Sequence, residues 1–369
     1  MKTRIDSHYM INDGLHEMAA NGVQFVADKN TGIAYAVYLS SDNAIGESDQ
    51  LIKIAKFNIM QPTNIEWITV FDSEVDFSGK CLSECYIVDL NNTVVRVFAL
   101  DMGKNTYYYK DVEKKSLSVG AINEVKIKFD ENAEAVTLNL ENVNALLTLN
   151  GISTVPYCNM SSSFVKVDES YYGIICGENI ESPLFVKSSD GGAVWTFQSV
   201  IPHRVNYEAT LCYHNSRFWV IFRDGFTKET EETSQPLMYS DDGIIWTQSN
   251  LFLTVSDTRP WLFNYQGDLY LAYSSPMPES FSTVRTWRCN IHIGKIVSVN
   301  GEETFEEIVY KESKFGIVYY ALIDWYGYMI MLYSSGELHP TEGLMGGWSQ
   351  GKDCLNYTVI HSQEPKLSF

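Results

Sequence analysis

Along this chain one pattern of apolar and polar positions keeps returning: an apolar strand, a short polar turn, then a second strand apolar on both faces. It reads VQFVADKNTGIAYAVYLSS at 23–41, CYIVDLNNTVVRVFALD at 85–101 and SFVKVDESYYGIICGE at 163–178. It returns as ATLCYHNSRFWVIFRDG at 209–225, WLFNYQGDLYLAYSSP at 261–276 and YALIDWYGYMIMLYSSG at 320–336. The turns centre near residues 31, 92, 169, 215, 266 and 326 and carry hairpin residues such as Asn-Thr-Gly, Asn-Asn and Gln-Gly-Asp. A second strand such as Phe218-Trp219-Val220-Ile221-Phe222 has no polar face, so it must be covered on both sides. Sheets stacked around an axis supply that cover, because each sheet touches the one before and the one after. No helical periodicity competes. The pattern predicts an all-β chain, a six-bladed β-propeller with mostly four antiparallel strands per blade, forming a single domain over 1–369.

Two further stretches repeat outside these hairpins: SSDGGAVW at 188–195 and SDDGIIW at 240–246. Each follows one strand and precedes an aromatic-led one. Asp190 and Asp242 are placed to accept backbone N–H groups within the turn, glycine supplies positive φ, and Trp195 and Trp246 are placed to plug between blades. These turns are expected to be folding devices in outer hairpins, far from the functional pocket, at blade peripheries.

Composition narrows the function. Lys plus Arg number 27 against 46 Asp plus Glu, a net charge of −19. That balance disfavours nucleic acid, whose affinity rests on cationic contacts to phosphate, and anionic membrane surfaces. It leaves room for an anionic small ligand, since a few converging arginines dominate one cleft. Aromatic residues make up 13% of the chain; most fill the core, and the remainder suit stacking on a sugar ring. The seven cysteines are irregularly spaced, which reads as buried free thiols in a reducing compartment rather than a disulfide framework or a zinc site. No signal peptide or membrane-spanning run is visible, so a cytoplasmic location is favoured unless a leader has been removed. No metal constellation and no cofactor motif is expected: GLMGGWSQGK at 343–352 lacks the strand–helix context of a phosphate loop.

The two Ser-x-Asp turns resemble the Asp-box, or BNR repeat, of the sialidases. The surroundings add to the resemblance. YEATLCYHNSRFWVIFRDG…PLMYSDDGIIW at 207–246 is similar to the sialidase run of Glu, strand, turn, strand, Arg and Asp-box. LYLAYSSPMPESFSTVRTWRCNIHIGKI at 269–296 and VYYALIDWYGYMIMLYSSG at 318–336 resemble the two following blades. The likeness covers about 180–336; before 180 only the repeat rhythm is shared. It implies a glycoside hydrolase acting on a terminal, acidic or modified sugar. Tyr319 stands in the place of the nucleophile, with Tyr320 as the alternative, and Glu208 in the place of the base paired with it. Arg223, and Arg288 or Arg285, stand where the family clamps a substrate carboxylate.

That chemistry is coherent. A neutral phenol needs a carboxylate to take its proton, and it avoids the repulsion an anionic nucleophile would meet from an acidic sugar. Arginine binds both oxygens of a carboxylate. The chain also departs from the family. The arginine that opens the first sialidase blade is absent from LHEMAANGVQFV, where His16, Glu17 and Asn21 are the nearest candidates, so the substrate is expected to differ from ordinary sialic acid. The acid/base would come from SSDNAIGESDQ at 40–50, which offers Asp42, Glu47 and Asp49. Two other readings stand beside this one: a polysaccharide lyase on uronic-acid chains using His16, His203 and Arg204, and a non-catalytic glycan-binding propeller.

Overall fold

A computed structural model of the chain describes residues 4–11, 23–41, 50–79, 82–161, 163–177, 180–203, 208–223, 233–255, 259–275, 290–311, 316–336 and 354–361. The chain is all-β and propeller-like: among the described residues its strands fall into six sheets, five of them four-stranded. The first sheet is Gln24–Asp28, Ile33–Ser41, Gln50–Asn58 and Gln61–Asp72; the second is Leu82–Asp89, Val94–Asp101, Thr106–Glu113 and Asn123–Glu124. The fourth is Ala209–His214, Arg217–Phe222, Thr233–Ser240 and Thr247–Val255, and the fifth Trp261–Tyr265, Asp268–Ser275, Asn290–Val299 and Glu302–Lys311. The sixth joins Gly316–Trp325, Tyr328–Gly336 and Cys354–His361 to Arg4–Ile11. Each of the six sequence hairpins lies in a different sheet, in antiparallel register.

Burial follows position within the sheet. Val94–Asp101, a second strand, is buried at every position but Val94, whereas the outer strand Gln61–Asp72 is exposed or half-buried along most of its length. Four apolar clusters hand the core from sheet to sheet. One joins the first and second sheets through Val37, Ile54 and Val97; the next joins the second, third and fourth through Phe98, Ile174 and Val220. A third links the fourth and fifth through Trp219 and Leu271, and the last closes fifth, sixth and first through Tyr270, Leu332 and Phe25. The strand Arg4–Ile11 completes the circle by pairing with Cys354–His361, Arg4 opposite His361 and Ile11 opposite Leu355.

The third sheet departs from the expected pattern of mostly four antiparallel strands. It has seven strands: Lys126–Lys128, Val136–Thr137, Cys158–Met160, Val165–Val167, Ser170–Gly177, Leu184–Ser188 and Val194–Val200, and Lys126–Lys128 runs parallel to Val194–Val200. The expected first strand is split. Val165–Val167 pairs with the turn-proximal half of Ser170–Gly177, and Cys158–Met160 with the far half. A helix of ten residues, Leu140–Leu149, also appears where none was expected. Asn139 caps it, its side chain accepting from Asn142 N at 2.9 Å, and Val143, Leu146 and Leu147 turn inward at helical spacing. The long interval between the second and third hairpins makes room for both additions.

The two Ser-x-Asp turns have the expected internal bonding. Asp190 Oδ1 accepts from Val194 N at 3.0 Å, and Asp242 Oδ1 from Ile244 N and Ile245 N at 2.8 and 2.9 Å. Each turn also clasps the preceding sheet. Arg96 of the second sheet donates to Asp190 O at 2.7 Å, and Ser199 of the third donates to Gly243 O at 2.7 Å. Trp195 and Trp246 are buried between neighbouring sheets.

Candidate functional site

Glu208 lies immediately before the first strand of the fourth sheet, and Arg223 immediately after the second. The ladder that pairs Ala209 with Phe222 continues one step further, with Arg223 N donating to Glu208 O at 2.8 Å. The side chains meet as well: Arg223 Nη1 donates to Glu208 Oε2 at 2.9 Å, with only 12% and 10% of the two side chains exposed. A buried ion pair of this kind is costly to break, because either charge left alone is desolvated without compensation.

Other sheets bring polar groups to the same place. Glu84 stands in the first strand of the second sheet, at a register shift between Ser83 and Cys85, with φ of 55°. Such a bulge redirects a side chain. Its buried Oε1 accepts from Asn159 Nδ2 of the third sheet at 3.1 Å and from the OH of Tyr157, just ahead of that strand, at 3.4 Å. Burial, and then the charge of Glu208, push the Glu84 carboxyl up to about 8, against the pull of Asn159, Arg259 and Tyr157. Arg259 is buried just ahead of the first strand of the fifth sheet, its guanidinium over the Trp261 ring. Thr210 of the fourth sheet donates to Pro260 O at 2.6 Å, fixing the two strand starts side by side. Four sheets therefore converge on one mouth of the ring.

Buried side-chain atoms without a hydrogen-bond partner among the described residues gather at the same end. They include Gln24 Nε2, Gln50 Nε2, Glu84 Oε2, Asp101 Oδ2 and Asn159 Oδ1, all at strand ends on this side. Orphaned polar atoms are rare in folded chains, and their concentration marks a surface built to meet polar partners.

The sequence candidates fare unevenly. Glu208 and Arg223 are brought together. Tyr319 lies in Gly316–Trp325 at a register shift between Val318 and Tyr320, and its side chain lies outside the described residues. Tyr320 is a core residue, 2% exposed, with its hydroxyl 3.4 Å from Ala272 O of the fifth sheet. His203 stacks on Phe222 at 5.8 Å, and burial lowers its pKa. His16, Glu17, Asn21, Asp42, Glu47, Asp49, Arg204, Arg285 and Arg288 lie outside the described residues. The strand ends flanking two of their segments do belong to the mouth: Ser41 pairs with Gln50, and Ser275 with Asn290. Cys85, Cys158, Cys176 and Cys212 are buried free thiols, and burial raises all four above the ordinary thiol range.

Glu84, Asn159, Tyr157 and Arg259 were missed in the sequence. A signal for Glu84 and Arg259 was present: an ionisable residue at or just before the first apolar strand of a hairpin, the position Glu208 also holds. The opposite end of the ring offers a different feature, a groove of about 410 Å³ lined by His214, Arg217, Asp268, Lys295 and Glu303. Its cations are already engaged, Arg217 with Asp241 at 2.6 Å and Lys295 with Asp268 at 2.7 Å.

No protein-family profile and no curated protein sequence matches this chain. Among solved structures it is similar to Trypanosoma rangeli sialidase in complex with the inhibitor DANA, with a TM-score of 0.61 at 9% identity, over 96% of this chain and 58% of that one. It is also similar to a Hadza microbial sialidase, with a TM-score of 0.59 at 12% identity over 93% of this chain and 66% of that one. A mutant of NanB sialidase from Streptococcus pneumoniae gives 0.56 at 11% identity, over 96% and 70%. The chain thus spans less than two thirds of the Trypanosoma enzyme's length. Its fold is similar to that of the sialidases, at a sequence distance where the likeness shows the fold alone.

Proposed function

We propose that this chain is a divergent sialidase-like glycoside hydrolase. Its seven-stranded third sheet counts as one blade of six, and the whole forms one domain. The observation that carries the reading is the Glu208–Arg223 pair, fifteen residues apart, closing the fourth-sheet hairpin at the mouth of a sialidase fold. In this reading Tyr319 attacks the anomeric carbon while Glu208 takes its proton. Arg223, with Arg288 or Arg285, holds an anionic group, and Asp42 or Glu47 donates a proton to the leaving oxygen from the first blade. His16 and Asn21 fill the place of the absent first-blade arginine, which favours a terminal sugar other than ordinary sialic acid. The Ser-x-Asp turns serve as Asp-boxes that brace the blades.

The test is a screen of the purified chain against aryl sialosides, other aryl glycosides and acidic oligosaccharides. Release of an acidic or modified sugar is expected, and Tyr319→Phe should cut turnover by at least about 100-fold with binding retained. Release of an unsaturated, ultraviolet-absorbing product would replace the hydrolase with a lyase. A second reading, glycan binding without turnover, is favoured by one observation: Arg223 and Glu208 already neutralise each other. Binding of an acidic glycan with no product from any substrate would establish it.

A further inference from the structure

The groove at the end of the ring opposite the mouth lies between the fourth and fifth sheets and has no task in the reaction proposed above. It measures about 410 Å³, within the range of about 300–1,000 Å³ usual for small-ligand sites. Trp219 contributes to its wall from the fourth sheet, Leu269 and Ile296 from the fifth. Trp219 is 8% exposed, and its Nε1 has no hydrogen-bond partner among the described residues. Leaving a buried donor unmet is costly, and other buried indoles of the chain avoid it: Trp246 Nε1 donates to Ser199 Oγ at 3.1 Å and Trp261 Nε1 to Leu322 O at 3.0 Å. Trp195 Nε1 shares the lack, but that ring is wholly buried in the core, whereas Trp219 stands at a cavity. Arg217 lies across the Trp219 and Tyr239 rings, 5.6 and 4.3 Å from their centres. Asp241 takes its Nε and Nη2 at 2.6 and 3.3 Å, which leaves Nη1 outside the pair. From the fifth sheet, Lys295 Nζ holds Asp268 Oδ2 at 2.7 Å, and Glu303 Oε2 accepts from Ser249 Oγ at 2.9 Å. His214 Nδ1 meets Asn264 Oδ1 at 2.8 Å; because Asn264 Nδ2 donates to Tyr213 O, Nδ1 is the donor, and Nε2 of the neutral ring is an acceptor.

We propose that this groove is a second binding site, for one neutral, hydroxyl-bearing sugar ring. Two cations, Arg217 and Lys295, stand there against three carboxylates, Asp241, Asp268 and Glu303, so an anion meets net repulsion and finds both cations taken. A cation suits the carboxylates but offers no acceptor to Trp219 Nε1. A hydroxyl does both: it accepts from donors such as Trp219 Nε1 and Arg217 Nη1 and donates to acceptors such as Glu303, Asp268 and His214 Nε2. The C–H face of a sugar ring matches the apolar part of the wall, Trp219, Leu269 and Ile296. The site is separate from the mouth and does not depend on the function proposed for it.

The test follows the indole N–H signals of the isotope-labelled full chain by NMR. The Trp219 signal is the one missing from Trp219→Phe. Methyl β-galactoside, methyl β-glucoside and methyl α-mannoside are titrated at millimolar concentrations, with sialic acid as the anionic probe and putrescine as the cationic one. A saturable shift of the Trp219 signal with at least one neutral glycoside is expected, and none with sialic acid or putrescine. Glu303→Gln, at a half-buried position, should weaken that glycoside about tenfold or more, the loss expected for a hydrogen bond to a carboxylate. If Trp219→Phe does not fold, calorimetry on the parent and Glu303→Gln reads the same affinities without the assignment. Binding of none of the three glycosides, equal affinity in the parent and Glu303→Gln, or a Trp219 shift produced by sialic acid or putrescine alone overturns the proposal. If a neutral glycoside binds here while no substrate is turned over, the second site stands and only the hydrolase reading of the mouth fails.

Discussion

Glu208 and Arg223 are fastened to each other twice, by Arg223 N to Glu208 O at 2.8 Å and by Arg223 Nη1 to Glu208 Oε2 at 2.9 Å. The backbone bond is one more rung of the hairpin, so strand pairing itself sets the distance between the charges. Glu208→Ala leaves a buried guanidinium without this partner and should lower stability by about 3–5 kcal/mol. The double variant Glu208→Leu with Arg223→Met should recover most of that loss. Denaturant unfolding of both single variants and the double variant measures both; a double loss equal to the sum of the single losses would show that the pair carries no coupling.

Stability should fall as pH rises because of Glu84. Its folded pKa is raised to about 8, from an ordinary carboxyl value of 4.5, so between these values the folded chain binds the proton that the unfolded chain has released. The contribution is fully present below the unfolded value and is lost as pH rises through the folded one. Melting temperature measured from pH 4 to 9 should decline across that window, and Glu84→Gln should flatten the decline.

Asp190→Ala should weaken the fold by about 1 kcal/mol, through loss of the bonds from Val194 N and Ser188 Oγ. Asp242→Ala should act in the same direction through Ile244 N and Ile245 N. Ser240 pairs with Phe218, which lies beside the hairpin turn remote from Glu208, so this turn occupies the end of the sheet away from the mouth. Glycan binding should therefore survive both changes. Thermal melting paired with a binding assay separates the two effects, and loss of binding at unchanged stability would contradict the structural role.

Gly243 and Gly267 make a contrasting pair. Both have positive φ, 73° and 84°, but a Cβ on Gly243 would lie 2.6 Å from Phe185 Cε1, whereas one on Gly267 meets nothing within 4 Å. Gly267→Ala should cost about 1–2 kcal/mol from backbone strain alone. Gly243→Ala should cost about 1–3 kcal/mol more, because the third sheet's Phe185 must move. Denaturant midpoints of the two variants compare them, and equal losses would mean that Phe185 yields freely.

Much of the ring was readable because inner strands advertise themselves. Residues 218–222 and 97–100 are apolar on both faces, and only a strand covered on both sides tolerates that. The third sheet was less readable. Cys158–Met160 is separated from Val165–Val167 by three serines and an aromatic, so one strand looked like the start of another, and Leu140–Leu149 is too short and too rich in Asn and Thr to stand out as a helix. At the mouth, Glu208 and Arg223 were readable as a pair because they end the same hairpin. Glu84 and Arg259 were readable only as ionisable residues beside a first strand; that they meet Asn159 was not, because the three come from three sheets and because the bulge that redirects Glu84 has no sequence signature of its own.

The pairing of Arg4–Ile11 with Cys354–His361 has a consequence for the order of events during synthesis. Arg4–Ile11 finds this neighbour only when Cys354–His361 has left the ribosome. Until then the five preceding sheets have to assemble as an open arc, its two ends exposed, and the clasp forms once. Loop-closure entropy grows only slowly with chain length, so the delay costs time far more than it costs stability. A chain rejoined across this clasp and cut instead at the exposed turn Gly301 would keep every sheet and move the wait to the fifth, where Glu302–Lys311 would be made first and its partner Asn290–Val299 last.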